Sequence, residues 1–307
     1  MITPKRFFAG KHELEYCVDN ENYYIFNPKN ERMLQANEAT LQYLQTYSET
    51  TEKVKEIENF LRGKRRNSFN SFKFLNLKIH IKDNNILFRL SGNKYVQTLF
   101  WLCIITFFLT QPFIFKEGFS NLTNIEESFK WYDLIFIYIA QLIIIALHEL
   151  GHFVVYKKYV NTSTMRFGIM LRYFFMLAFY TNVNYLRNLP RKSKLKIVIA
   201  GIMVQAIIGG IIGAFLLFYP APELYYIYII NIFIMLVNIV PFLRLDGYWL
   251  FNIIINSEDY MQSFKLFITK RRKIRPIECI FGAINIILIM LVVINGIFVI
   301  MRYLRSL

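Results

Sequence analysis

The chain has 307 residues, 55% hydrophobic and 17% aromatic, with positive mean hydropathy and a formal charge of +15. Apolar runs this long and this numerous exclude an ordinary soluble enzyme and point to a mainly α, polytopic membrane helix bundle. The basic residues fall mainly beside apolar segments, as positive-inside flanking requires, so the charge predicts contact with membrane lipid and no nucleic-acid partner.

Residues 1–92 are polar or mixed and contain no apolar core of signal-peptide length, so this part is expected to stay in the cytoplasm. Residues 23–26 read as a strand, Asn27-Pro28-Lys29-Asn30 as a turn and 32–36 as the returning strand of a hairpin. Asn37 then caps a helix to about residue 46, with Glu38 in its first turn. Residues 52–61 read as a second helix with Val54, Ile57, Phe60 and Leu61 apolar. The expectation is a small α+β, winged-helix-like domain. The segments Tyr24-Ile25-Phe26-Asn27-Pro28 and Met33-Leu34-Gln35-Ala36-Asn37-Glu38 resemble those of PqqD-like domains. That resemblance implies binding of a precursor peptide, added as a strand to the hairpin edge; a cytosolic cap without a ligand is the plainer alternative. After the basic Lys64-Arg65-Arg66, Leu75, Leu77, Ile79 and Ile81 alternate with Asn76, Lys78, His80 and Lys82. Asp83-Asn84-Asn85 then turns the chain toward residues 86–90, which predicts a second hairpin before the membrane. Cys17, Cys103 and Cys279 share no metal-ligand spacing and read as reduced. His12 and His80 read as solvent-facing.

The membrane domain is expected to occupy 93–307, with about five transmembrane helices over residues 95–115, 132–156, 196–219, 224–243 and 277–301. Between the second and third, residues 161–194 mix aromatics with arginine and lysine and offer no clean span, so a membrane-associated hairpin or loop is expected. Gly209-x-x-x-Gly213 in the third reads as a helix-packing motif. Residues 257–275 read as a basic cytosolic segment that orients the chain, with Pro276 as a break.

Chemistry concentrates in His148-Glu149-Leu150-Gly151-His152, inside the second span. Residues four apart share a helix face, so both imidazoles can reach one ion with Glu149 beside them. Ionisable groups at membrane depth are costly and usually face a cavity or partner where they serve function. Catalytic zinc takes three protein ligands, so one more is expected at similar depth. Lys157 and Lys158 follow His152 closely, which puts the site roughly 8 Å from the cytosolic boundary at 1.5 Å per residue.

HExxH in one span, followed by Asn238-x-x-Pro241 and Leu245-Asp246-Gly247 at the end of a later one, resembles the site-2 protease family of intramembrane zinc metalloproteases. The resemblance implies Zn2+ held by His148, His152 and Asp246, and Glu149 as the catalytic base. It further implies that Asn238 holds the substrate backbone, and that Pro241 and Gly247 shape the chain around the ligand. The chain departs from the family in having Ala200-Gly201-Ile202 where relatives often carry Ala-Gly-Pro. The function implied is peptide-bond hydrolysis, and the PqqD-like segments favour a small ribosomally made precursor peptide as the substrate. Regulated cleavage of a transmembrane regulator, such as an anti-sigma factor, and a non-proteolytic immunity or export role are the alternatives. The intact Glu149 speaks against the last, since metal binding alone needs no base.

Overall fold

The computed structural model describes residues 2–19, 22–30, 32–48, 54–63, 71–80, 92–123, 130–162, 164–172, 176–181, 183–270 and 273–306. The chain divides into two compact units, Met1–Asn231 and Ile232–Leu307.

The first unit begins with an antiparallel meander, β1 (Lys5–Ala9), β2 (His12–Asp19), β3 (Asn22–Asn27) and β4 (Arg32–Ala36). The β3–β4 hairpin is the one expected; β1 and β2 extend it to four strands. Gly10 turns between them with φ 58°, a conformation glycine adopts without strain. His12 is half-buried in this turn, against the expected solvent-facing position. Helix α1 (Glu38–Gln45) starts where its cap requires, with the Asn37 Oδ1 accepting from the Thr40 amide at 2.9 Å. Helix α2 (Lys55–Arg62) follows, and the buried Asn27 and Asn30 amides donate to its last carbonyls. Leu14, Ile25, Leu41, Leu44, Phe60 and Leu61 close the small core.

A second sheet forms from β5 (Ser71–His80), β6 (Thr164–Arg172) and β7 (Met176–Thr181), all antiparallel in that order. The awkward stretch after the second span is therefore a β6–β7 hairpin, and β5 reaches across 84 positions to pair His80 with Thr164. The expected turn at 83–85, the return strand at 86–90 and the basic 64–66 lie outside the described residues.

Among the described residues, five helices are long and apolar enough to cross a membrane, as expected of a multi-pass membrane protein: α3 (Lys94–Thr123), α4 (Trp131–Lys157), α5 (Arg191–Leu216), α6 (Pro222–Ile239) and α9 (Pro276–Ser306). Their outer faces are apolar: Phe108, Leu109 and Phe113 of α3 and Leu134, Phe136 and Tyr138 of α4 are each more than half exposed. Helices α3 and α5 approach closely along glycines. A Cβ on Gly210 would lie 1.8 Å from the Cys103 carbonyl oxygen, one on Gly209 2.6 Å from Phe107, and one on Gly213 2.5 Å from Thr110 Oγ1.

The N-terminal sheet is packed onto the end of α4. Cys17 and Phe26 share a buried cluster with Phe153, Tyr156, Tyr185 and Ile197. Arg166 of β6 donates to the Pro28 carbonyl at 2.9 Å, and Ile2 bridges to Val160.

In the second unit α6 ends at Ile239, short of the apolar run to 243. Val240 precedes Pro241, whose ring disfavours helical backbone before it. The chain then re-enters helix as α7 (Asp246–Ile254) and α8 (Tyr260–Ile268), the latter capped by Asp259 inside the segment expected to be merely polar. Side chains brace the 240–245 connection. Tyr260 donates its hydroxyl to the Pro241 carbonyl at 2.8 Å, Asn285 donates to the Phe242 carbonyl at 2.7 Å, and Arg244 pairs with Asp259 at 3.1 Å. Tyr248 also donates to Asp259.

Candidate metal centre

Helix α4 carries His148 and His152 one turn apart, both buried, with their Nε2 atoms 3.1 Å from each other and their rings nearly perpendicular at 84°. Helix α5 runs antiparallel beside it and presents one stripe, Ile197, Gly201 and Gln205, at successive turns. Each member meets the histidines. The Ile197 carbonyl lies 2.7 Å from His152 Nδ1, and the Gln205 Oε1 lies 3.0 Å from His148 Nδ1. A carbonyl only accepts, so His152 carries its proton on Nδ1 and keeps the Nε2 lone pair. The same holds for His148 against the amide oxygen of Gln205. In the neutral rings the two Nε2 atoms therefore face each other across a buried space, an arrangement that fits a cation bound to both. Their separation is close to the edge of about 3.3 Å in a tetrahedron with nitrogen ligands at ~2.05 Å from zinc.

Gly201 completes the cradle. A Cβ there would lie 2.5 Å from each Nε2 and 2.6 Å from His148 Cε1, so only glycine leaves the convergence point open. Gly151 permits the close approach, since a Cβ on it would stand 2.6 Å from Val204 Cγ2. Both tests, donor chemistry and open cradle, fit a divalent metal of the zinc type.

Glu149, next to His148, is half-buried, and its carbonyl accepts from Thr181 Oγ1 of β7 at 3.2 Å, which ties the β6–β7 hairpin to the motif. Asn238 and Asp246 belong to the second unit. Asn238 lies in the last turn of α6 and Asp246 is the first residue of α7, both half-buried. Gly247 is required there, because a Cβ would lie 2.0 Å from the Ile239 carbonyl oxygen and 2.9 Å from that of Asn238.

The sequence reading missed Ile197, Gly201 and Gln205 as metal-site residues. A polar glutamine inside an apolar span, four positions from a glycine, was the available signal. Gln141, one helix earlier, is also a glutamine inside an apolar span but has no glycine four positions away, and it donates to the Ile227 carbonyl at 2.8 Å.

No protein-family model matches the chain, and no solved structure matches it. The chain is similar to the zinc metalloprotease MJ0392 of Methanocaldococcus jannaschii, with 27% identity over 185 residues. That match takes in 58% of this chain and spans 51% of the relative's length. The chain is thus distantly related to a zinc metalloprotease, and its paired histidines converge with the chemistry that such a metal needs.

Proposed function

We infer that the protein is an intramembrane zinc metalloprotease of the site-2 type, with His148, His152 and Asp246 as metal ligands and Glu149 as the catalytic base. The observation that carries the reading is the pair of buried Nε2 atoms 3.1 Å apart, each imidazole locked through Nδ1 to an acceptor, with Glu149 between them in sequence. The 27% identity to a zinc metalloprotease supports it, as does the Asn238-x-x-Pro241 and Asp246-Gly247 pattern at the end of an apolar helix. Bound zinc supplies Lewis acidity toward a peptide carbonyl and acidifies water. Glu149 accepts the proton of the attacking water and returns it to the departing amine nitrogen. Asn238 holds the extended substrate backbone through its amide.

The substrate in this reading is a small ribosomally made precursor peptide, reaching the site from the cytoplasm. The four-stranded N-terminal sheet supports this: β1 and β4 are its edge strands, and the sheet packs on the helix that carries both histidines. The basic Lys157 and Lys158 at the end of α4 support a cytoplasmic placement of that sheet.

Elemental analysis of the detergent-purified protein tests the reading without a known substrate. The expected result is about one zinc per chain, lost in His148→Ala and Asp246→Ala and kept in Glu149→Gln. Absence of zinc from the wild type after resupply overturns the metalloprotease; retention by Asp246→Ala overturns the third ligand. Among peptides co-produced with the full chain, cleavage by wild type and none by Glu149→Gln identifies the substrate. Cleavage confined to transmembrane regulators moves the assignment to regulated intramembrane proteolysis.

A further inference from the structure

Behind His148 lies a chain of two amides that no ligand role requires. Gln205 and Asn231 are both fully buried, the first on α5 and the second on α6. Asn231 donates its Nδ2 to the Gln205 main-chain carbonyl at 3.1 Å, and a carbonyl cannot donate back. The Asn231 side chain is thereby oriented, with its Oδ1 toward Gln205. That oxygen accepts from Gln205 Nε2 at 3.3 Å, which in turn orients the Gln205 amide. Its Oε1 is left facing His148 Nδ1 at 3.0 Å, where only an N–H satisfies it. The polarity of the whole chain is set at one end by a backbone carbonyl and delivered at the other as the protonation site of a ring.

We propose that Gln205 and Asn231 are positioning residues that fix His148 in the Nδ1–H tautomer and so hold its Nε2 lone pair at the metal site. This rests on the metalloprotease reading. His152 needs no such relay, because its Nδ1 meets a main-chain carbonyl directly, that of Ile197 at 2.7 Å. His148 has a side-chain amide there, and an amide can turn over. Rotated by half a turn, Gln205 would present an NH2 to Nδ1, the imidazole proton would move to Nε2, and the lone pair would be lost to the metal. Asn231 is what prevents that rotation. Partners of this kind typically change metal affinity by 10–100-fold when removed.

The test uses the full chain in detergent with two readouts. The first is zinc affinity by competition with a chelator. The second is the 15N spectrum of selectively labelled histidine in metal-free protein, which reports the tautomer of each ring without any metal or substrate. For Gln205→Met, close in shape but without a strong acceptor, the expected result is a 10–100-fold loss of zinc affinity and a mixed His148 tautomer, with His152 unchanged. Gln205→Glu keeps an acceptor and is expected to retain the Nδ1–H tautomer and affinity within a few-fold. Asn231→Leu removes the orienting amide without touching the His148 partner. It is expected to shift both readouts in the same direction but less, and it decides the matter if Gln205→Met fails to fold. Unchanged affinity and an unchanged tautomer in the folded variants overturn the relay. A wild type that takes up no zinc overturns the metalloprotease reading instead, while the tautomer spectra still decide whether the relay sets the ring.

Discussion

Gly201→Ala is the most economical challenge to the site, because it adds one methyl group at a known place. The new Cβ would sit 2.5 Å from both Nε2 atoms, well inside the 3.5–4.0 Å at which non-bonded carbon contacts are favourable. Ordinary contact requires the rings or the helix to retreat by roughly 1 Å, twice the ~0.5 Å tolerance of a working constellation. The stability cost is modest by comparison. Overpacking costs about 1–3 kcal/mol, and the better helix propensity of alanine offsets it by ~1 kcal/mol. The variant is therefore expected to fold and to carry less than about a tenth of the wild-type zinc. Elemental analysis and a thermal melt of the same detergent sample measure both. Gly213→Ala is the matched control: its Cβ meets Thr110 Oγ1 at 2.5 Å, but three turns along α5, ~18 Å from Gly201. It is expected to lose stability and keep its zinc. A Gly201→Ala protein with full zinc content at wild-type affinity refutes the claim that the histidines converge on the space beneath this glycine.

Two further outcomes are expected. Phe26→Ala removes a ring from the cluster that seats the N-terminal sheet on α4, at a cost of about 3–5 kcal/mol. Hydrogen exchange should then accelerate in β3 and at the C-terminal end of α4 together, whereas acceleration in β3 alone would show that the sheet is seated elsewhere. His12 has its pKa lowered by burial first, then by the nearby Lys29 and Arg62 cations. The folded state therefore resists protonation more than the unfolded state does. This contribution to stability is complete above the ordinary histidine value of 6.5 and is lost as pH falls through the lower folded value. Amide protection in β1 and β2, corrected for the intrinsic exchange rate at each pH, should fall between pH 7 and pH 5 in the wild type, and the fall should be smaller in His12→Gln; equal falls in both would count against it.

The N-terminal hairpin was legible because each of its signals is local. A turn tetrapeptide lies between two aromatic and aliphatic runs, and Asn37 caps α1 through a bond to a residue three positions away. The β1–β2 hairpin was just as local, marked by Gly10, but its strands carry charges at Lys5, Arg6, Glu13 and Glu15, which masked the alternation. The pairing of β5 with β6 could not be read. Its partners are separated by the whole of α3 and α4, and strand alternation names a face without naming a neighbour. Likewise α6 was read too long because apolar residues continue past Ile239, and only the backbone restriction before Pro241 ends the helix.

The sequence by itself determined the number and place of the apolar helices, since crossing a hydrocarbon core of ~30 Å demands runs that composition alone reveals. It also determined the pairing of His148 with His152, because residues four apart on a helix must share a face. What the tertiary structure decided is which face of α5 those histidines meet. Helices in this membrane domain are apolar nearly all round, so hydrophobic periodicity does not mark an inner side. The register between α4 and α5 is set instead by where backbones can approach, at Gly151 and Gly201. That register places the Ile197 carbonyl, the open space over Gly201 and the Gln205 amide opposite the two imidazoles, and it orients both lone pairs on one point.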